Sequence, residues 1–284
     1  MSLLEDLRVP RGRVELSSYS TRATPGVHGG KKRGHRALFD LGAELMELQT
    51  KLYAQREAVG ARRLLLVLQG MDTSGKGGVL KHTVGLVDPV GVRITSFKAP
   101  TEEERAHDFL WRIEKAVPGP GYLGVFDRSH YEDVLIGRVR SLAPMTEIER
   151  RYDAINGFER RLVEEGTTIV KCFLHISPAE QKERLLARLD DPTKHWKYNP
   201  GDVDERQLWT DYARAYEIAL ERTNTDIAPW YVVPSDRKWY RNLAIGELLR
   251  ESLKDLHLGW PPADFDVAAE RRRLMDDTIG EAGA

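Results

Sequence analysis

The chain has 284 residues but only one cysteine, Cys172, so no disulfide can form within it. It also lacks an apolar run long enough to span a membrane and an apolar signal core near its N-terminus. These absences predict a protein of the reducing cytoplasm that has no membrane partner.

An excess of charge of one sign is missing too, because 43 Lys and Arg residues balance 44 Asp and Glu residues. The net charge of −1 therefore gives no support to a nucleic-acid partner, and neither a nucleic-acid-binding module nor an internal repeat is present. Apolar residues nevertheless make up 41% of the chain, which is enough for a full core. The length fits either one α/β domain with additions or two small domains, and we favour one domain.

The chain does contain a glycine-rich run, residues 70–78, between the apolar segment 64–69 and a helical pattern. Its spacing is that of a phosphate-binding loop, in which successive backbone N–H groups surround a phosphate and a lysine supplies a positive charge. The predicted phosphate-binding residues of this loop and the following helix are Gly70, Met71, Thr73, Ser74, Gly75, Lys76, Gly77 and Lys81.

Gly77 stands where such loops usually carry a Ser or Thr hydroxyl that binds Mg²⁺. Asp72 is the obvious replacement, because a carboxylate beside phosphates requires a bridging cation. Asp127 follows the apolar segment 122–126, which is where phosphate-loop enzymes place a second metal-binding carboxylate. Asp72 and Asp127 are therefore the predicted ligands of Mg²⁺, for which Mn²⁺ could substitute.

Apolar segments alternate with helical patterns along the chain, and this predicts a parallel sheet covered by helices. The predicted strands are 64–69, 92–97, 122–126, 168–174 and 230–233, and the longer helices are 38–52, 145–166, 203–226 and 239–256. We predict an irregular N-terminal arm (1–36), one phosphate-loop domain (37–260) with a lid at about 184–205, and a charged C-terminal tail (261–284).

Basic residues cluster in the predicted lid. Arg184 and Arg188 are four residues apart and share a helix face, and Lys194 and Lys197 follow in a flap that contains Trp196. This pattern predicts a lid over a phosphate chain, and a solvated helix face is the competing interpretation. The run 31–33 in the arm is open to the same two interpretations.

These motifs together resemble the second family of polyphosphate kinases, which belongs to the phosphate-loop (P-loop) kinases. The resemblance covers most of the chain and rests on residues 70–78, on 127–134 and on 184–197. It implies Mg²⁺-dependent transfer of a terminal phosphoryl group between inorganic polyphosphate and the nucleotides AMP, ADP or ATP. It also implies a thymidylate-kinase-like three-layer α/β sandwich with a five-stranded parallel sheet and a helical lid, assembled as a homo-oligomer (dimer or tetramer).

Carried over to this sequence, the resemblance assigns the metal to Asp72 and Asp127, loop phosphates to Lys76, and neutralisation of the transferring group to Arg128 and Arg188. These are the tools that phosphoryl transfer requires, since it depends on positioning and charge neutralisation.

The acceptor is a separate question. Residues 129–134 resemble a subgroup that accepts both nucleoside monophosphates and diphosphates, although some of its members carry Asn at the position of Asp127. Glu132 and Arg138 are the predicted contacts to the acceptor nucleotide.

Two other classes share part of this pattern. An ATP-dependent nucleotide or small-metabolite kinase would have the same loop, sheet and lid, and an assay with polyphosphate as the donor would separate it. A GTPase-type switch would carry a guanine-reading Asn-Lys-x-Asp motif and a hydroxyl after the loop lysine, and the sequence has neither.

Overall fold

Strands and helices alternate along the chain in the structure, a computed structural model that describes residues 3–277. The strands are β1 (Arg63–Gln69), β2 (Val92–Ser96), β3 (Leu123–Asp127), β4 (Thr167–His175) and β5 (Trp230–Pro234). The helices are α1 (Leu3–Leu7), α2 (Lys31–Ala54), α3 (Lys76–His82), α4 (Glu102–Arg105), α5 (Trp111–Ala116), α6 (Ile136–Val139), α7 (Met145–Glu164), α8 (Pro178–Leu189), α9 (Gly201–Gln207), α10 (Trp209–Thr223), α11 (Lys238–Lys254) and α12 (Val267–Met275).

The strands form one parallel sheet in the order β2-β3-β1-β4-β5. In the register of the sheet, Leu68 of β1 lies beside Asp127 of β3 and Cys172 of β4. The loop that follows β1 therefore leaves the centre of the sheet next to the ends of both neighbouring strands, at the edge where ligands bind in such folds.

Side chains of β1 alternate between two apolar layers. Leu64, Leu66 and Leu68 pack with residues of α2, α3 and α11 on one face of the sheet. Leu65 and Val67 pack with residues of α7 and α10 on the other. Because a strand buried on both faces reads as a continuous apolar run, the sequence pattern of 64–68 arises directly from this position. The arrangement confirms the predicted three-layer α/β sandwich.

The N-terminal arm is shorter than predicted, because α2 begins at Lys31 and not near residue 37. The basic run 31–33 thus forms the exposed first turn of a helix. The sequence of this turn has little apolar periodicity, so no helix was predicted there. Gly34 follows the turn, and a Cβ at this position would collide with the ring of Trp239. Upstream, the Val9 N–H donates to the carbonyl of Trp230 (2.8 Å), so part of the arm lies along β5.

Two further boundaries differ from the prediction. The helix predicted at 203–226 is divided into α9 and α10, which meet at Leu208. The predicted C-terminal tail contains α12, and its residues 278–284, like residues 1–2 of the predicted arm, lie outside the described part of the chain. Within residues 3–277, no helix combines the length and the apolar composition that crossing a bilayer requires.

Candidate active site

The loop between β1 and α3 has a backbone that few side chains tolerate. Gly70 (φ 153°), Thr73 (φ 60°) and Gly75 (φ 113°) all have positive φ. At Gly75 a Cβ would also collide with the guanidinium group of Arg241. Turns of this kind bring successive N–H groups to face a common point, which makes an anion-binding concavity. The geometry is that expected of a phosphate-binding loop.

Several polar side chains of the loop are buried. Lys76 donates from Nζ to the carbonyl of Gly70 (2.8 Å), and burial lowers the pKa of this lysine. The hydroxyl oxygens of Thr73 and Ser74 are buried and have no hydrogen-bond partner among the described residues. Because a buried hydroxyl without a partner costs about 1–3 kcal/mol, these two groups fit a loop that is completed by a polar ligand.

Arg128 links the loop to the segment after β3. It is one of four described non-glycine residues with positive φ (64°), and its Nη2 donates to Asp72 Oδ1 (2.6 Å) while Nη1 lies 3.9 Å from Glu132 Oε2. Burial pulls the pKa of Arg128 down, but Glu132 and Asp72 outweigh this effect and raise it. Arg128 is therefore a fixed cation between two carboxylates.

Glu132 is the most enclosed of these carboxylates, with 19% of its side chain exposed. The amide of Gln69, oriented so that its oxygen accepts from Ser129, donates to Glu132 Oε1 (3.0 Å). Burial raises the pKa of Glu132 against the lowering effects of Arg128 and Lys76. The carboxyl group thus holds its proton more strongly than an exposed glutamate.

Asp127 lies at the end of β3, opposite Leu68 and Ser96 in the sheet. Burial and then Arg128 lower the pKa of Lys76 by more than the charges of Asp72, Asp127 and Glu132 raise it. Within residues 3–277, no three or more His, Cys, Asp or Glu side chains are arranged to hold a metal by themselves. A pair of carboxylates is nevertheless the donor set that suits Mg²⁺, which is usually held by one or two carboxylates together with water and substrate phosphates.

A cavity of about 250 Å³, hereafter the reaction cavity, lies in front of the loop. Its loop side is formed by Gly70, Asp72, Arg128 and Glu132, and its opposite side by residues of α9 and α10 that include Asp202, Arg206, Trp209, Tyr212 and Tyr216. The cavity combines anionic and cationic side chains in a small space, as expected where metal-bound phosphates are held.

The two arginines of the predicted lid have different surroundings. Arg188 donates from Nη1 to the carbonyl of Lys197 (2.8 Å) and lies 3.5 Å from Asp202, at the base of the flap 190–200. Lys194 pairs with Asp191 (2.7 Å), and Lys197 lies over the exposed ring of Trp196. These lysines do not line the reaction cavity.

Arg184 does not fit the prediction that it binds phosphate, because all its N–H groups are engaged within the protein. Nε donates to Glu180, Nη1 to the carbonyls of Thr73 (2.8 Å) and Ser74 (3.0 Å), and Nη2 to the carbonyls of Ser235 (2.6 Å) and Asp236 (3.2 Å). A guanidinium group has five N–H donors, and this arrangement uses each of its nitrogens. Arg184 therefore supports the backbone of the loop through the carbonyls of Thr73 and Ser74.

Sequence reasoning missed Arg241, which braces the same loop from α11. Its Nη1 donates to the carbonyl of Ser74 (3.1 Å), which therefore accepts from both Arg241 and Arg184. Burial, and then the charge of Arg184, lower the pKa of Arg241 to about 9. No local signal marks this residue, because the pattern around 239–243 indicates only a packed helix.

Two other predicted residues lie elsewhere. Arg138, predicted to contact the acceptor, donates to Glu149 Oε1 of α7 (2.8 Å) and does not line the reaction cavity. It lies in α6, and its guanidinium group pairs with α7. Lys81, predicted to bind phosphate, is exposed in the last turn of α3.

A buried ionic network lies behind the segment that carries Arg128 and Glu132. Lys171 of β4 is fully buried, and its Nζ donates to Glu159 Oε2 (2.6 Å), to the hydroxyl of Tyr131 (3.0 Å) and to the carbonyl of Thr223 (2.8 Å). Tyr131 in turn donates to Glu159 Oε1 (2.7 Å), and His130 Nε2 lies 3.4 Å from the same oxygen. Tyr131 and His130 adjoin Glu132, so the network fixes the backbone of the site.

Comparison with known proteins agrees with this geometry. The family model described as polyphosphate kinase 2 matches residues 29–258. The AMP/ADP-polyphosphate phosphotransferase of Meiothermus ruber is 46% identical over 252 residues, which cover 89% of this chain and 93% of that protein. The ADP-polyphosphate phosphotransferase of Rhodopseudomonas palustris is 38% identical over 285 residues, covering 95% and 96%. The crystal structure of a polyphosphate kinase 2 from Arthrobacter aurescens TC1 has a TM-score of 0.95 at 56% identity, and 98% of each chain is covered.

Proposed function

This chain belongs to the polyphosphate kinase 2 family and transfers phosphoryl groups between polyphosphate and nucleotides, and we propose that it does so with Mg²⁺ and accepts both AMP and ADP. The observation that carries this proposal is the meeting of the loop, Lys76, Arg128 and two carboxylates at one edge of the sheet. The relatives named above support the two acceptors, since one is named for both nucleotides and the other for ADP.

Asp72 and Asp127 would hold Mg²⁺, which neutralises charge on the phosphates during transfer. The N–H groups of the loop and the hydroxyls of Thr73 and Ser74 bind the phosphates on the protein side. Lys76 adds a positive charge at the base of the loop, where its partner is now the carbonyl of Gly70.

Arg128 is the cation best placed to contact the transferring phosphoryl group, because it lines the reaction cavity beside Asp72. A guanidinium group held in this way needs little reorganisation during the reaction, and fixed charges of this kind stabilise transition states strongly. Arg188 lies at the base of the flap, so its action on the same group requires the flap to close over the cavity.

We further propose that Glu132 helps to set the acceptor, because its partly buried carboxyl faces the reaction cavity. A charged Glu132 repels the longer, more anionic acceptor, and a protonated one does not. As the resemblance implies, we also propose a cytoplasmic homo-oligomer as the working form.

The experiment supplies purified protein with Mg²⁺, long-chain polyphosphate and either AMP or ADP, and separates the nucleotides by chromatography. With polyphosphate as the only phosphoryl donor, AMP should be converted to ADP and ADP to ATP, and the polyphosphate should lose one phosphate for each transfer. Lys76→Met should abolish product, whereas Lys182→Met, the same change at an exposed position of α8, should not. Transfer that occurs only with ATP as donor would overturn the proposal and favour an ATP-dependent kinase.

A further inference from the structure

The carbonyl groups of the loop between β1 and α3 are all engaged within the protein, from Gly70 to Gly75. Backbone N–H groups donate to Met71 (3.0 Å) and Gly75 (2.9 Å), and side chains donate to Gly70, Asp72, Thr73 and Ser74. In a trans peptide unit the C=O and N–H groups point in opposite directions. A carbonyl held on the protein side therefore leaves the N–H of the next residue facing the ligand, and each of these hydrogen bonds helps to set the geometry of the site.

The donor at Asp72 is the amide of Gln181, in the first turn of α8. Gln181 Nε2 donates to the carbonyl of Asp72 (2.8 Å), and only 4% of the surface of Gln181 is exposed. The carboxylate of the same aspartate accepts from Arg128 Nη2 (2.6 Å). Asp72 is thus held at both ends, its backbone by Gln181 and its side chain by Arg128. The backbone contact fixes the point from which the carboxylate extends.

Arg206 of α9 selects the orientation of that amide. An amide group can present either its oxygen or its NH₂ group to a neighbour, and only the NH₂ group can donate to a carbonyl. Arg206 Nη1 donates to Gln181 Oε1 (2.5 Å) and to the carbonyl of Pro178 (3.1 Å). Because a guanidinium group carries donors only, it holds the oxygen of the amide and leaves the NH₂ group directed at Asp72.

We infer that Gln181 and Arg206 are positioning residues for the metal-binding carboxylate. Arg206 orients the amide of Gln181, and the amide fixes the backbone of Asp72 so that its carboxylate faces the site of Mg²⁺. This inference rests on the function proposed above, since it takes Asp72 as a ligand of Mg²⁺, and it adds the residues that hold this ligand in place. Mutation of residues that orient a metal ligand typically lowers metal affinity or activity by about 10–100-fold.

Both side chains also line the reaction cavity, so direct contact with a substrate phosphate is the competing role. The two roles differ in what they require. A residue that positions Asp72 affects the metal site even when no substrate is present. A residue that contacts phosphate affects phosphate binding even when no metal is present. Binding measurements with the metal alone and with a phosphate compound alone therefore separate them.

The first test uses Gln181→Met, which removes the amide without changing the charge, and Gln207→Met, the same change at an exposed position of α9, as its control. Mn²⁺ is titrated into each protein without substrate, and free Mn²⁺ is measured by electron paramagnetic resonance. Gln181→Met should raise the dissociation constant for Mn²⁺ about tenfold or more, and Gln207→Met should behave as the parent. The affinity for pyrophosphate, measured by calorimetry without metal, should stay the same. Unchanged Mn²⁺ binding in Gln181→Met would overturn the inference, as would a loss of pyrophosphate affinity as large as the loss of Mn²⁺ affinity.

The second test concerns Arg206, for which simple electrostatics predicts the opposite sign. Removal of a cation beside the site should by itself strengthen Mn²⁺ binding, whereas loss of the contact that orients Gln181 should weaken it. Arg206→Met should weaken Mn²⁺ binding about threefold or more in the parent and not at all in Gln181→Met, where no amide remains to be oriented. Equal weakening in both backgrounds, or none in the parent, would overturn the role of Arg206.

A further variant covers the case in which Gln181→Met fails to fold, as judged by circular dichroism. Gln181→Asn keeps an amide but is one methylene shorter, so it cannot contact both Asp72 and Arg206, and it should weaken Mn²⁺ binding in the same way. The parent separates this inference from the proposed function. A parent that binds no Mn²⁺ would contradict the proposed metal site, and the inference with it, whereas a parent that binds Mn²⁺ no better than the Gln181 variants refutes only the positioning role.

Discussion

Breaking the ionic network behind the active site should destabilise the whole protein. Methionine is about as long as lysine but carries no charge, so Lys171→Met removes a fully buried cation. Glu159, whose side chain is 2% exposed, then loses its closest partner, Lys171 Nζ at 2.6 Å. Removing one member of a buried ion pair costs about 3–5 kcal/mol, because the remaining charge is neither solvated nor compensated. That is a large part of the roughly 5–15 kcal/mol by which folded proteins are stable.

The assay is urea unfolding at 25 °C, followed by far-UV circular dichroism. The midpoint should fall with little change in m, since the surface exposed on unfolding stays the same. Lys182→Met is the control, because this lysine is exposed on α8 and its loss should change stability by at most about 0.5 kcal/mol.

A double variant shows whether the uncompensated charge is the cause. In Lys171→Met with Glu159→Gln, the amide oxygen can still accept from Tyr131, and neither position of the former ion pair carries a charge. The double variant should therefore be more stable than Lys171→Met alone, although it carries one more substitution. The reasoning is refuted if the losses of stability caused by Lys171→Met and by Glu159→Gln simply add in the double variant. It is also refuted if Lys171→Met lowers the free energy of unfolding by less than about 1 kcal/mol.

The same variant should respond to pH with a definite sign. In the parent, burial raises the pKa of Glu159, but Lys171 and His130 outweigh this effect and lower it, so its contribution to stability is present above the unfolded pKa and is lost as the pH falls through the folded one. In Lys171→Met the cation is gone and burial should raise the folded pKa above the unfolded one. Between these two pKa values the folded state keeps a proton on Glu159 that the unfolded state loses, so the free energy of unfolding falls as the pH rises. The loss of stability relative to the parent should therefore be smaller at pH 5 than at pH 8.

Three predictions concern the reaction itself. Asp72→Asn should lower kcat about 100-fold or more, with an unchanged circular dichroism spectrum, because it removes a carboxylate that holds the proposed Mg²⁺; full activity at low Mg²⁺ would contradict that role. Glu132→Gln should change the ratio of AMP to ADP use more than the total rate, and an equal fall in both rates would indicate a structural role. Arg188→Ala should lower chiefly kcat, whereas Lys194→Ala and Lys197→Ala should raise the KM for polyphosphate, and this difference from the parent should shrink as NaCl is added, because salt screens the lysine charges of the parent. If both lysine variants use long and short polyphosphate as well as the parent does, the flap is not a polyphosphate lid.

The features that could be predicted from sequence are those that depend on local pattern or on sheet topology. The loop 70–78 follows an apolar strand, and Asp127 ends another, so parallel pairing alone brings them to one edge of the sheet. The contacts that these residues make with other elements could not be predicted in this way. Arg184 and Arg188 share a helix face as their spacing requires, but spacing does not say that Arg184 meets the loop carbonyls while Arg188 meets the flap.

The start of α2 and the position of the arm could not be predicted, for a related reason. Helical periodicity appears only where a helix has an apolar face to bury, and the exposed first turn 31–33 has none. The arm at Leu16–Arg22 gains its position from Glu217 and Asp236, about two hundred residues further along the chain. Contacts over such distances leave no trace in a single sequence.

The two arginines behind the loop explain why these distant contacts affect the chemistry. Arg184 and Arg241 hold one carbonyl, that of Ser74, from two different helices, so the loop keeps its positive-φ turns although it is rich in glycine. Their charges also lie close behind the N–H groups that face the ligand, where burial limits screening by water. The pKa of Arg241 is lowered chiefly by burial and further by the charge of Arg184, because bringing two guanidinium groups together is unfavourable. A polyanion bound in the loop would offset that repulsion, so we expect Arg184 and Arg241 to favour the phosphate-bound state over the empty one.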